Sequence, residues 1–373
     1  MFSNHNIIPK DNNYVLIKNN ISISSIDRDR SKWKNNNHFE INLPQSFNNI
    51  HYINITNITL PFNQFNISQT FQNNKIRIHY GNPNINAATV DVSGAGNIEF
   101  NVTIDDGFYS PFNLAITLQN SINTQLKSLL NIQPFIVKYN KLTNKFFIGV
   151  TEGQFKLLFN FQHSYTNCTK IKFNNNAKWG LGWLLGFDKK IYSSIRHTDS
   201  NGLKFSHENT AWITPTTKEN NSNTSVNYIE ANNQFKFLQH QDIFLEVFNH
   251  NNTSEIEPYC ENTNNLNNND LGFKQNSAFA KIPIPYESFA YYIGEESQTT
   301  AYHNIINLKN GNFITNPKFH LPPIKSINKL KFKFRYHDGD LVDFNDIPIN
   351  MMIEIGTLEE EQRRVANIRH NKI

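Results

Sequence analysis

The chain's stock of groups able to do chemistry is 13 His, 31 acidic residues and 2 Cys, and their spacing decides what chemistry is open to them. His197 and His207, or His240 and His250, fit neither one helix face nor a compact zinc loop. Cys168 and Cys260 stand far apart without metal-type spacing, so neither a zinc site nor a disulfide framework is expected. Cys168 lies in a polar stretch, and no G-x-S-x-G elbow supplies a serine nucleophile. Asp242 and Glu246 share one strand face and imitate a glycosidase pair, but Asp242 opens its strand and such carboxylates come from separate strands. His337-Asp338-Gly339-Asp340 reads as a turn, because a calcium loop needs further ordered carboxylates. The glycines of Trp179–Phe187 follow no strand in a dinucleotide-binding pattern, and no Lys-Ser/Thr pair comes after them. No catalytic, metal or cofactor-binding residue is assigned, no cofactor is expected, and the chain is expected not to be an enzyme.

Trp179 and Trp183 could stack on a sugar, with the Asn-rich loops closing over it. Core packing or a subunit contact accounts for them better, so a lectin-like glycan-binding module stands as an alternative. Asn makes up roughly one residue in six, a bias that reflects an AT-rich source more than a mechanism. At 373 residues with 13% aromatic content, the chain can bury a large core in one elaborated domain or two lobes. Its net charge of +4 comes without a basic run, so no specific nucleic-acid binding is expected. No charged leader precedes an apolar segment, and no apolar run reaches about 18 residues. No membrane span is expected, and synthesis in the cytoplasm is.

The elements that must position these groups are mostly strands. Phe39, Ile41 and Leu43 alternate with Glu40 and Asn42 until Pro44, and a second alternation runs from Ile50 to Pro61. Short strands are expected at Lys75–Tyr80, Thr89–Val92 and Ile98–Ile104. A helix should follow, with Ser110 as N-cap, Pro111 at its first position and a stripe of Ala115, Leu118, Ile122, Leu126 and Leu129. Phe135–Tyr139 and Lys145–Val150 predict a hairpin. Trp179–Phe187 is an apolar patch closed by Gly186. Residues 214–227 and 249–270 read as loops. Further strands are expected at Asp242–Phe248, Ser277–Ile284, Asn304–Leu308, Lys325–Tyr336 and Ile349–Ile355. In Lys325–Tyr336, Leu330, Phe332, Phe334 and Tyr336 form a buried face, and Lys329, Lys331, Lys333 and Arg335 a basic one. Thr357 with Glu360 forms a capping box, so a short C-terminal helix or tail is expected over 357–373.

Before the first strand lies Asp27-Arg28-Asp29-Arg30-Ser31-Lys32-Trp33-Lys34, too charged to be buried and nearly balanced in sign. This S-x-D-R-D arm, the F-x-I-x-L-P strand and the I-x-I-x-x-x-x-x-P strand resemble the opening of minor capsid and penton-type proteins of large icosahedral double-stranded DNA viruses, the giant viruses. The resemblance returns at Ala278–Pro285, Pro323–Phe334, the D-G-x-L-V-D-F segment and the M-I-E-I strand. It implies a mainly β, jelly-roll-like antiparallel sandwich with an inserted α+β subdomain; the alternative is two sequential β-rich domains. The expected division is an extended N-terminal arm at 1–36, a discontinuous sandwich at 37–69 and 196–356, an insertion at 70–195 and a tail at 357–373. The implied role is a structural virion component, a minor capsid protein, with a penton (vertex) protein as the alternative. Its implied partners are the major capsid protein and other virion proteins, in a homo-oligomer or hetero-assembly. Candidate subunit contacts are Asp27, Arg28, Asp29, Arg30 and Trp33 in the arm and Arg363, Arg364 and Arg369 in the tail.

Overall fold

Pro44 does not end a strand. His38–Phe62 is a single 25-residue strand in the computed structural model, which describes residues 14–62, 65–81, 97–165, 172, 178–218, 221–222, 225–256, 275–284, 304–309, 314–315 and 317–360. The proline falls between Asn42 and Phe47, where the register against the neighbouring strand shifts, so its missing N–H removes no ladder bond.

In chain order the first elements are β1 (Tyr14–Ser24), a 3-10 turn (Ser25–Asp27), β2 (His38–Phe62), β3 (Lys75–Gly81), β4 (Ile98–Thr103) and α1 (Pro111–Leu130). Then come β5 (Phe135–Asn140), β6 (Lys145–Val150), β7 (Gln154–Leu158), a helical turn (Leu181–Leu184), β8 (Ile191–Ser193) and β9 (Ile195–Thr198). Short strands β10 (Leu203–Lys204), β11 (Ala211–Ile213), β12 (Thr217–Lys218) and β13 (Asn221–Ser222) lead to β14 (Ser225–Glu230), β15 (Asp242–Val247) and β16 (Thr253–Ile256). The last are β17 (Gln275–Ala278), β18 (Ala280–Pro283), β19 (Asn304–Lys309), β20 (Ile314–Thr315), β21 (Lys318–Arg335) and β22 (Asn350–Glu360).

The fold is mainly β and antiparallel, of the jelly-roll-like sandwich type. Its largest sheet runs β1-β22-β2-β21-β15-β18-β20, with β19 on the end of β2. Alternation sets the faces: Phe39 lies opposite Phe332 and Ile41 opposite Leu330 toward the core, while Glu40 lies opposite Lys331 and Asn42 opposite Lys329 on the other side. The middle of the chain forms two four-stranded sheets, β4-β3-β7-β8 and β5-β6-β14-β9. Ser110 Oγ accepts from the Asn113 N–H to cap α1, whose Leu114, Ala115, Leu118, Ile122 and Leu126 are buried. Asn123 on α1 bonds both backbone groups of Phe135, which locks the helix to β5. One apolar core continues from β1, β2, β21 and β22 through α1 and the middle sheets.

Four expectations need correction. Residues 14–24 are no free arm but an edge strand paired along its whole length with β22, from Tyr14 opposite Glu360 to Ser24 opposite Asn350. Thr357 caps no helix: it lies in β22, opposite both Ile17 and Ile50, and its hydroxyl accepts from Asn19 Nδ2, because pairing on two sides outweighs a local capping signal. Leu129 is off the buried stripe and 51% exposed. Residues 225–227, expected within a loop, begin β14, which pairs with β6 and β9 and so belongs to the middle sheets. The strand expected at Thr89–Val92 lies outside the described residues. So does most of the loop expected at 249–270, although Thr253–Ile256 pairs with Gln275–Ala278.

Candidate assembly surface

Arg28 is buried despite the charge around it. Its Nη1 donates to Ser25 O at 2.7 Å, its Nε to Trp33 O at 3.0 Å, and its Nη2 to Lys34 O at 3.0 Å and Asp346 Oδ1 at 2.5 Å. One guanidinium thus gathers three loop carbonyls and a carboxylate, geometry that its planar fork suits. Segment 27–34 is therefore a loop folded onto the body, contrary to the expected free arm. Asp29 accepts from the Ser31 hydroxyl and N–H, which holds its carboxyl below the usual range, and Asp27, Asp29 and Arg30 are exposed. Trp33 is half-buried, tilted against His38 at 4.9 Å. Asn36 and Asn37 donate to Ile347 O and Val342 O and anchor the loop's end. Arg363, Arg364 and Arg369 lie outside the described residues.

The basic face of β21 meets its own carboxylates. Lys329 faces Glu40 at 3.5 Å and Lys333 faces Glu246 at 3.3 Å. Arg335, 2% exposed at its side chain, binds Glu246 and Glu255, the latter at 2.6 Å. Burial works against its charge, yet the two carboxylates raise its pKa above the ordinary value. Glu255 also contacts His337 Nδ1. Asp242 pairs with Lys281 at 3.0 Å, so the two carboxylates that imitated a glycosidase pair serve separate ion pairs. Beside these residues an open groove of about 580 Å³ is lined by His38, Glu246, Phe248, Asn251, Lys331 and Lys333. Burial and then the ammonium groups of Lys331 and Lys333 lower the pKa of His38.

His337–Asp340 makes a turn, with Gly339 at φ 86° and the Arg335 to Leu341 bridge closing it. Asp338 and Asp340 take Lys172 Nζ at 3.0 and 2.5 Å, and that ammonium lies 4.9 Å from the Trp179 ring. Trp179 is 7% exposed, and its Nε1 donates to Phe71 O at 2.6 Å. The Trp183 ring carries Lys236 at 3.9 Å. His240 is stacked on Tyr336, and His250 sits edge-on to His320, so the histidines paired in sequence do not meet. His197 lies on β9, and His207 stacks beside Phe205. Cys168 and Cys260 lie outside the described residues. Among the described residues, no three His, Cys, Asp or Glu could hold a metal, and no helix is long and apolar enough to cross a membrane.

Two features were missed at the level of sequence. The first is the exposed corner where β1 begins: Tyr14, Val15 and Leu16 are 53%, 48% and 42% exposed. Its signal is the alternation of Ile17, Ile21 and Ile23, which Lys18-Asn19-Asn20 interrupts. The second is Phe248, 64% exposed just past β15.

No protein-family model matches the chain, and no curated protein matches it. Two solved structures are similar in outline. The mavirus penton protein overlaps with a TM-score of 0.41 and 8% identity, over 93% of this chain and 100% of that one. A chain of the Sputnik virophage, solved by electron cryo-microscopy, overlaps with a TM-score of 0.41 and 12% identity, over 92% of this chain and 98% of its own.

Proposed function

We propose that this chain is a structural virion component, a minor capsid protein that binds neighbouring subunits through its two terminal segments. The observation that carries the proposal is the pairing of Tyr14 with Glu360. Residues 1–13 and 361–373 are joined to neighbouring strand ends, Tyr14 and Glu360, so one neighbour can take both. The exposed Tyr14, Val15 and Leu16 lie at the same corner, on a strand that pairs on one side only among the described residues. Arg363, Arg364 and Arg369 then act from the tail, and Asp27, Asp29 and Arg30 from the exposed rim of the Arg28 loop. The partners are the major capsid protein and further copies of this chain, and the work is non-covalent association whose strength salt tunes. The sandwich in this reading is discontinuous, and the pairing of β14 with β6 favours an insertion that ends near residue 231.

The glycan-binding reading loses its platform, since Trp179 is buried with its N–H bonded and Trp183 is covered by Lys236. Removal of residues 1–13 tests the terminal-segment role. Incorporation into particles should fail while the shortened chain keeps its cooperative unfolding; normal incorporation overturns the role. Removal of everything before Trp33 is unsuitable, because it deletes β1 and Arg28 and so the packing of Ile21 and Ile23.

A further inference from the structure

Among the four basic residues that alternate from Lys329 to Arg335 on β21, one cation is left over. Lys329, Lys333 and Arg335 are matched by Glu40, Glu246 and Glu255, whereas Lys331 has no carboxylate within ion-pair distance among the described residues. Its ammonium lies instead 5.0 Å from the Trp33 ring and 5.6 Å from the Phe248 ring. Phe248 is 64% exposed and lines the groove of about 580 Å³ together with Lys331, His38 and Glu246, while Trp33 packs against His38. Such a place suits a carboxylate carried on an apolar surface: the anion meets Lys331, and its apolar neighbours cover Phe248 and Trp33.

The chain itself presents that combination at its other end. Glu359 and Glu360 are exposed at the end of β22 and have no basic partner among the described residues; Lys18, the nearest lysine on β1, pairs with Glu354 at 3.6 Å. Val15 lies opposite Glu359, Tyr14 opposite Glu360, and Leu16 opposite the half-buried Leu358. Glu359 and Glu360 point to opposite faces of β22, each beside an exposed apolar residue of β1, so the strand end offers a carboxylate with apolar neighbours that complements an ammonium framed by aromatic rings.

Register keeps the two apart within one molecule. Thr357 lies opposite Ile50 on β2, so Glu360, three residues on, reaches the level of residue 47, whereas Lys331 lies opposite Glu40. Across the register shift at Pro44, Phe47 lies opposite Ile327, so four residues of β21 at about 3.3 Å each separate Lys331 from that level by roughly 13 Å along the strands, with β2 lying between β21 and β22. Both are held in ladders and cannot turn toward each other.

We infer that the Lys331 groove of one copy receives the Glu359–Glu360 corner of a second copy, in a head-to-tail contact. The contact deepens the assembly reading by naming one partner, and it is heterologous, so it propagates until a ring closes or a filament grows.

Sedimentation of the purified full-length chain tests it at about 100 µM, a concentration that populates even weak complexes. Association should weaken about tenfold or more in Lys331→Glu and equally in the pair Glu359→Lys with Glu360→Lys, and the chain carrying all three should associate again. It should also weaken as salt rises, because exposed charges are screened within a Debye length of about 10 Å at 0.1 M. A wild-type chain that stays monomeric, or a Lys331→Glu chain that associates normally, overturns the contact. Loss with Lys331→Glu but not with the glutamate changes shows that the groove takes another acidic segment, and this pairing is then wrong. Failure to regain association in the triple variant has the same meaning. Occurrence in virions is measured separately, so this contact can fail while the capsid reading stands.

Discussion

His240 ties stability to pH in a way that its surroundings make calculable. The ring stacks on Tyr336 with centroids 4.0 Å apart and planes at 11°, and meets Trp179 and Phe71 edge-on at 5.4 and 5.5 Å. Burial pushes its pKa down to about 4, against the pull of Asp338 and Asp340 and with help from Lys172 and His337. Asp338 Oδ2 is 4.0 Å from Nε2, but Lys172 already occupies that carboxylate, so an imidazolium would face a cation as well as an anion. We therefore take His240 as neutral in the folded chain at neutral pH. An unfolded histidine takes up its proton near pH 6.5. Between about pH 6.5 and 4 the unfolded state binds the extra proton, so stability falls as pH falls, and the effect is flat outside that window. A difference of roughly 2.5 units at about 1.36 kcal/mol each gives about 3 kcal/mol for the whole window. Asp338, also held below its ordinary range, adds its own loss only at lower pH, as its carboxylate is protonated.

Urea unfolding of the native chain and His240→Phe, from pH 7.5 down to 4.5, reads this difference. Phenylalanine keeps the stack, and Nε2 makes no hydrogen bond that would be lost. The variant should lose less stability than the native chain on acidification, with the gap widening toward about 3 kcal/mol. His163 and His250, whose pKa values burial lowers to about 4, contribute equally to both proteins and cancel. Parallel pH curves, or a ring proton that titrates at 6.5 or above by NMR, would show that His240 carries no such coupling to folding.

Arg28→Ala should destabilise the fold by about 2–3 kcal/mol, since three carbonyls and Asp346 lose a charged donor, and Arg28→Lys should recover only part of that, as thermal unfolding will show. At Gly356 any Cβ would run into the Tyr52 ring, whose hydroxyl donates to Glu354 at 2.6 Å. Gly356→Val should therefore cost roughly 1–3 kcal/mol in spite of valine's strand preference, with equilibrium unfolding as the check. Ile122→Ala, beneath α1 and fully buried, should cost about 2–5 kcal/mol and leave the unfolding transition cooperative by calorimetry.

Local rules were legible where one element carries its own signal. Ser110 and Pro111 announce α1, which sits as expected because propensity, pattern and burial agree, and the Phe-Lys alternation announces the end of β21, which starts at Lys318, seven residues before the expected Lys325. The β5–β6 hairpin is equally local: Asn140 Oδ1 accepts from Leu142 N and Thr143 N within the turn. Legibility ended where partners come from far along the chain. Arg28 looks like part of a charged arm because three of its acceptors are backbone carbonyls, which carry no sequence signal, and the fourth, Asp346, comes from far along the chain. Arg335 reads as surface charge until Glu246 and Glu255 arrive from β15 and β16. Thr357 illustrates a local signal overruled, since β1 and β2 claim it from both sides. The groove beside Lys331 was half visible: the basic strand was legible, but the cross-strand carboxylates that leave Lys331 alone were not.

Incorporation of this chain into virions is what we propose. Mass spectrometry of purified particles from its source tests that most directly. Peptides of this chain should appear in intact particles, at a ratio to the major capsid protein that persists through further purification. Particles that are complete and lack the chain would contradict the proposal.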